Sequence, residues 1–337
     1  MRFTFVVPGL ASLDRAALSA SRPLARLASW SRPRAEPLGL GAAIFASLGA
    51  SAPDPAHDVP EAPFAALGAG VDAPGAYVLA AEPVRLVAGR EDVAVGARVD
   101  DLPADDTRAI VDALNAHFAA DGLRFAAPRP DAWFVAATAR PDLATVPLDA
   151  ALGETMSSHL PTGRDARTWQ RWSTEIQMLL HAHPVNLARE RAGLAPVNGL
   201  WFWGGGALGD AGLVAPFRAH APAGRAGDLV RGLALAAGGD ALELPGSFEA
   251  AVEAVPASRP ATHVVVVLPA AATTTVLAEI DRQWLAPAVD WLRRGRLASV
   301  AIVTGRRPAA TWSVRRPSAF ARLAAGFAPR RFSVPGR

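Results

Sequence analysis

Two uninterrupted apolar runs, THVVVVLPA at 262–270 and LASVAIVTG at 297–305, restrict the fold of this chain more than any other feature. A strand with one wet face alternates apolar and polar residues, whereas a strand that is apolar throughout has both faces covered. Such strands belong to parallel sheets whose crossover helices lie on both sides. The intervening segments supply those helices. DLVRGLALAAG at 228–238 reads as one, and TVLAEIDRQWLAPAVDW at 275–291 as another, disturbed where Pro287 has no N–H to give. The opening MRFTFVVPGL reads as a further strand closed by Pro8-Gly9, and a helical pattern is expected from Leu13 to about Trp30. The class that follows is α/β.

The middle of the chain has a different texture. Residues 51–75, dense in Pro, Gly and Asp, read as a long surface loop, and Ala76 to Val95 as two short extended segments. At 105–120, Ile110, Leu114 and Phe118 recur at helical spacing, with Asp105 or Asp106 placed to cap the start and Gly122 to end it. Two strand-like runs, LRFAA and AWFVAAT, follow. From Asp165 to His181, Trp169, Trp172, Ile176, Leu179 and Leu180 form one apolar stripe, and Pro184 stops the helix.

Composition removes several chemistries. With 337 residues, 51% hydrophobic and 19% charged, the chain can bury one large core or two smaller ones. The absence of cysteine excludes disulfides, thiolate metal sites and cysteine catalysis. No apolar run reaches the roughly 18 residues of a membrane span, so a cytoplasmic protein is expected. All 34 basic residues are arginine, and eleven of them follow Asp290, after which no acidic residue occurs. These arginines either pair with the acidic body of the chain or contact an anion. Nucleic acid is not expected, because the tail lacks the interleaved aromatics that stack bases.

Among motifs, Gly204-Gly205-Gly206-Ala207-Leu208-Gly209 satisfies GxGxxG, but Pro216 follows where a pyrophosphate-binding helix would continue. His181 and His183 stand two apart, which does not make the i, i+4 pair of a helical metal site, and a helix C-terminus gives them a capping role. No GxSxG is present. The densest polar stretch, 159–198, carries Arg164, Arg167, Arg171, Glu175, His183, Asn186, Arg189, Glu190 and Asn198. Its arginine forks suit phosphate or carboxylate, or a salt-bridged elbow.

The run LPTGRDARTWQRWSTEIQMLLHAHPVNLARERAGLAPVNGLWFWGGG resembles the RpfE-type bacterial regulatory proteins. Beyond them it is similar to the archaeal-type cofactor-independent phosphoglycerate mutases of the alkaline phosphatase superfamily. The landmarks are His183 and Asn186 in HPVN, Arg189, Gly193, Asn198 in PVN, Trp203 and the glycine run 204–206. The resemblance implies an alkaline-phosphatase-like core built from residues 1–99 and 161–337, with a small α+β domain inserted at 100–160. It also implies two divalent ions held by Asp and His residues after three strands, polarising a phosphoryl group that a serine accepts. Here the first strand runs into Val7-Pro8-Gly9-Leu10. The valine strand runs into Leu268-Pro269-Ala270-Ala271-Ala272, and the last strand into Thr304-Gly305-Arg306-Arg307. None of these offers a carboxylate or imidazole. The expectation is a non-catalytic regulatory or anion-sensing module without a metal cofactor. Gly204, Gly205, Gly206, Arg306 and Arg307 would form its anion pocket, and its partner would be a phosphorylated small molecule or a regulatory protein. The alternative is an active mutase or phosphatase with Mn or Mg relocated to His159, His183, Asp54 and Asp58.

Overall fold

The computed structural model describes residues 1–31, 33–36, 39–50, 58–89, 92–212, 215–256, 263–305 and 309–315. The chain divides into two compact units, one formed by Met1–Ser51 with Gly212–Arg337, the other by Ala52–Ala211. These boundaries differ from those expected at 99/100 and 160/161.

Twelve strands are present among the described residues: β1 (Arg2–Val7), β2 (Arg34–Glu36), β3 (Tyr77–Ala88), β4 (Val93–Arg98), β5 (Leu123–Arg129), β6 (Ala132–Ala137), β7 (Gly199–Gly206), β8 (Arg218–His220), β9 (Asp240–Leu242), β10 (His263–Val267), β11 (Ser299–Thr304) and β12 (Ala309–Arg315). The first unit holds a seven-stranded sheet in the order β2-β12-β11-β1-β10-β8-β9. Five of its strands are parallel, and β12 and β2 complete one side antiparallel. The two apolar runs become β10 and β11, flanking β1, with Phe5 opposite both Val266 and Ile302. Consecutive residues Phe3 to Val7 are all buried, so both faces of the sheet are covered, as an unbroken apolar strand requires. One face packs Phe3, Phe5 and Val7 against Leu24, Leu27, Trp284 and Leu292. Helices Leu40–Leu48 and Arg225–Ala236 pack on the sheet outside that cluster. The class is α/β with a mostly parallel sheet, as the sequence implied.

The second unit is built on a five-stranded antiparallel sheet, β4-β3-β6-β5 with β7 alongside β3. Its core joins Leu79, Phe125, Trp133 and Val135 of the sheet to Ile110, Leu114 and Phe118 of helix Ala104–Phe118 and to Trp169, Ile176 and Leu180 of helix Ala166–His181. Pairing of β3 with both β6 and β7 draws residues on either side of 100–160 into one sheet, which is why this unit outgrows that segment. Ala76–Val95 holds two extended segments, as expected, the twelve-residue β3 and the start of β4. Two local readings change. Residues 61–68 of the supposed loop are a helix, Glu61–Gly68, burying Ala62, Phe64 and Ala66. The 104–118 helix starts after Pro103 without a side-chain cap, and Asp105 and Asp106 lie in its first turn instead.

Candidate functional site

The glycine run ends β7, where its pairing with β3 shifts register, Gly204 and Gly205 standing opposite the single residue Leu79 as a β-bulge. Gly204 has φ of 67°, a left-handed conformation that glycine adopts without a Cβ penalty, and a Cβ on Gly205 would collide with the Tyr77 hydroxyl. The Gly205 N–H donates to the Asp58 carboxylate at 3.2 Å, and the Gly204 N–H donates to Thr145 Oγ1 at 3.2 Å. Thr145 also donates to Asp58 through its backbone N–H at 2.7 Å and through its hydroxyl. Burial raises the Asp58 carboxyl above its ordinary value, and these hydrogen bonds hold it back. Tyr77 lies against this carboxylate, its phenol pushed up by burial and then by the charge of Asp58. Arg140 sits 5.5 Å over the Tyr77 ring and pairs with Asp210 at 2.7 Å. Two of the N–H groups expected to receive an external anion thus already hold a hydroxyl and a carboxylate of the same unit. Arg306 and Arg307, the charged half of that expected pocket, lie outside the described residues, as does Asp54.

The motif positions of the 159–198 stretch are fastenings. His183 does not cap the end of helix Ala166–His181; it begins helix Pro184–Arg191, where its Nδ1 accepts the Val185 N–H at 3.3 Å. Asn186 is buried and uses three bonds, donating to the carbonyls of Leu180 and Val197 and accepting the Val197 N–H. Arg189 is 4% exposed, donating to the Ala195 carbonyl at 2.8 Å and to Asp101 at 2.7 Å. Asn198 copies a strand partner, accepting the N–H of Leu86 and donating to its carbonyl. Trp203 donates to Glu82, a buried carboxylate that also receives Arg98 at 2.5 Å. Arg164 pairs with Asp142, and Arg171 with Glu175. Within this stretch Arg164, Arg171 and Arg189 form ion pairs, while His183, Asn186 and Asn198 bond main chain.

In the first unit the carboxyl ends of the parallel strands meet at one edge, where an open α/β sheet places its ligands. The Leu268 N–H donates to the Val6 carbonyl at 2.9 Å, and the Ala271 N–H to Pro8 at 2.8 Å. Gly9, at φ of 75°, stands beside Ala271, an added Cβ lying in ordinary contact at 3.5 Å from its backbone. The ends of β1 and β10 are therefore joined main chain to main chain. His220 closes β8 and is buried, with Nδ1 3.1 Å from the Glu243 carbonyl, no hydrogen-bond partner for Nε2 among the described residues, and burial holding its pKa down.

No family model matches the chain. It is 34% identical over 114 residues to the 2,3-bisphosphoglycerate-independent phosphoglycerate mutase of Methanothrix thermoacetophila, covering 32% of this chain and 27% of that one. With a probable enzyme of the same name from Geobacter sulfurreducens it shares 32% over 111 residues, 31% and 27% of the two chains. These relatives are phosphoglycerate mutases. The matched segment spans about a quarter of their length. Among solved structures, the PH0037 protein of Pyrococcus horikoshii is similar in fold, with a TM-score of 0.53 at 16% identity over 93% of this chain and 87% of that one. A cofactor-independent phosphoglycerate mutase from Thermoplasma acidophilum gives 0.45 at 19% over 94% and 90%.

A two-ion site at the strand edge needs anionic or imidazole donors. At the ends of β1, β10 and β11 the described residues are Pro8, Gly9, Pro269 to Ala272, Thr304 and Gly305, and these do not fit divalent ions. Among the described residues no group of three or more His, Asp or Glu is placed to hold a metal. His159, His183 and Asp58, the donors of the relocated alternative, each bond different groups: Thr155, Val185 and Thr145. No helix of the described residues is long and apolar enough to cross a membrane.

Proposed function

We propose that this chain is a phosphoglycerate-mutase-like module that does no phosphoryl transfer and acts by binding, in keeping with its resemblance to RpfE-type regulatory proteins. The observation that carries this reading is the ligand edge of the parallel sheet, where Pro8-Gly9 and Pro269–Ala271 are tied by backbone hydrogen bonds in place of carboxylate and imidazole donors. Phosphoryl transfer relies on charge stabilisation at the transferring group, and these apolar strand ends supply none. Arg306 and Arg307 follow β11 in the sequence and offer guanidinium forks for a phosphate or carboxylate. The reading is thus of an anion sensor in which the arginine pair binds and the bulged Gly204–Gly206 end of β7, occupied by Asp58 and Thr145, shapes the fold.

Phosphorus NMR of 3-phosphoglycerate with the purified chain, with and without manganese, tests this. The expected outcome is no 2-phosphoglycerate and no free phosphate. It is joined by calorimetric binding of 3-phosphoglycerate that is lost when Arg306 and Arg307 are both changed to Glu. Turnover at enzymic rates would show that donors stand elsewhere and would overturn the reading.

A further inference from the structure

A cavity of about 210 Å³ lies in the second unit between helix Ala166–His181 and β7. It belongs neither to the strand edge of the first unit nor to the glycine bulge. The helix lines it with Gln170, Ser173, Thr174 and Gln177, residues spaced i, i+3, i+4 and i+7 and therefore on one face. Trp201 contributes aromatic surface, and His159 lies at the side.

The hydrogen-bonding capacity of this lining leans toward acceptors, with a few amide donors among them. The hydroxyl protons of Ser173 and Thr174 are committed to the carbonyls of Trp169 and Gln170, at 2.8 and 3.1 Å, so both oxygens are left as acceptors. The amide NH₂ of Gln170 donates to the Pro161 carbonyl at 3.3 Å, leaving its oxygen to accept. His159 Nδ1 stands 3.1 Å from the Thr155 carbonyl, which can only accept; in the neutral ring the proton is on Nδ1 and Nε2 is an acceptor. Gln177 has no hydrogen-bond partner among the described residues, so its amide offers two N–H donors beside its oxygen, and Gln170 keeps one N–H. The Trp201 N–H is spent on the Val146 carbonyl at 2.7 Å, so the indole offers the cavity apolar area alone. No charged side chain is among the described lining residues.

We propose that this cavity binds a small uncharged ring carrying several hydroxyl groups, of monosaccharide size. Acceptors along a helix face, with the amide N–H groups of Gln170 and Gln177 among them, suit a ligand whose hydroxyls both donate and accept. The aromatic surface suits the apolar C–H face of such a ring. A phosphorylated or carboxylated ligand would bring a charge that nothing in this lining offsets. The volume lies below the roughly 300 Å³ at which pockets for drug-sized ligands begin, which sets the size class. This inference does not rest on the proposed function, and the two fail separately.

Saturation-transfer NMR and calorimetry on the full chain, with D-glucose, D-ribose, uracil and glucose 6-phosphate as probes, test it. We expect a neutral sugar to bind with Kd near or below about 1 mM, and glucose 6-phosphate and uracil to bind at least about tenfold more weakly. Gln177→Leu, on a half-buried position without a partner, is expected to weaken the sugar about tenfold while circular dichroism and melting temperature stay unchanged; His159→Ala is expected to do the same. Silence from both sugars at about 20 mM overturns the proposal. So does equal binding of the phosphate ester or uracil, or an unaltered affinity in both variants.

Discussion

At the scale of the residue, Asn186 shows how a polar motif position can be structural. Its amide is buried and bridges the end of one helix to the segment at Val197 that leads into β7, spending one acceptor and both donors on main chain. Replacing it by Ala leaves the carbonyls of Leu180 and Val197 and the Val197 N–H without this partner, at about 1–3 kcal/mol for each group left dry. Asn186→Ala is therefore expected to destabilise the chain by about 2–4 kcal/mol. Urea unfolding checks this, and a loss under about 1 kcal/mol would show that water or a rearranged loop replaces the amide. The sequence displayed HPVN and PVN as a pair but not their roles. A buried Asn satisfied by backbone and an exposed Asn awaiting a ligand are written with the same letter.

At the scale of the element, the helical stretch 275–291 was legible, including its disturbance, but not the form the disturbance takes. Helix Thr274–Ile280 passes into a π-helical turn, Asp281–Leu285, where the Ala286 N–H reaches back five residues to the Asp281 carbonyl, just before Pro287. The turn buries the Asp281 side chain, which accepts the Ser21 hydroxyl at 2.9 Å. Burial raises this carboxyl from 3.8 to about 6, the hydrogen bond opposing. Between those values the folded chain keeps a proton that the unfolded chain has released. The stabilisation from this group is full below the unfolded value of 3.8 and is lost as the pH rises through about 6. Asp281→Asn keeps an acceptor for Ser21 and removes the titration. Thermal melts from about pH 4 to 8 are expected to show the variant gaining on the wild type across that window. Above about pH 7 it is expected to be more stable by about 1–2 kcal/mol, the full shift being discounted for the hydration the carboxyl retains. Parallel curves for the two proteins would remove this account. Helix Glu61–Gly68, by contrast, was not legible: EAPFAALG has a proline and small side chains and draws no stripe, and its order comes from packing on Val78, Ala80 and Phe134.

At the scale of the whole molecule, the two sheets differ in what they require of the chain. The parallel sheet could be read from its valine runs, because burial on both faces writes itself into every residue of a strand. The limits of the second unit could not, because they depend on β3 pairing with β7, which sets Val84 against Gly199 across more than a hundred residues. No period or composition change marks such a partner. The topology carries a prediction. Ala52–Ala211 is one continuous stretch with its own sheet and its own core, whereas the first unit places β1 between β10 and β11 and so needs both ends of the chain. A fragment of residues 58–211 is expected to fold alone, melting cooperatively with dispersed amide signals. A fragment of residues 212–337 lacks the central strand, leaving the inner edges of β10 and β11 unpaired, and is expected not to fold. Should 58–211 instead bind hydrophobic dye and melt without cooperativity, its sheet depends on the first unit. The two-core division would then describe contacts without describing independent stability.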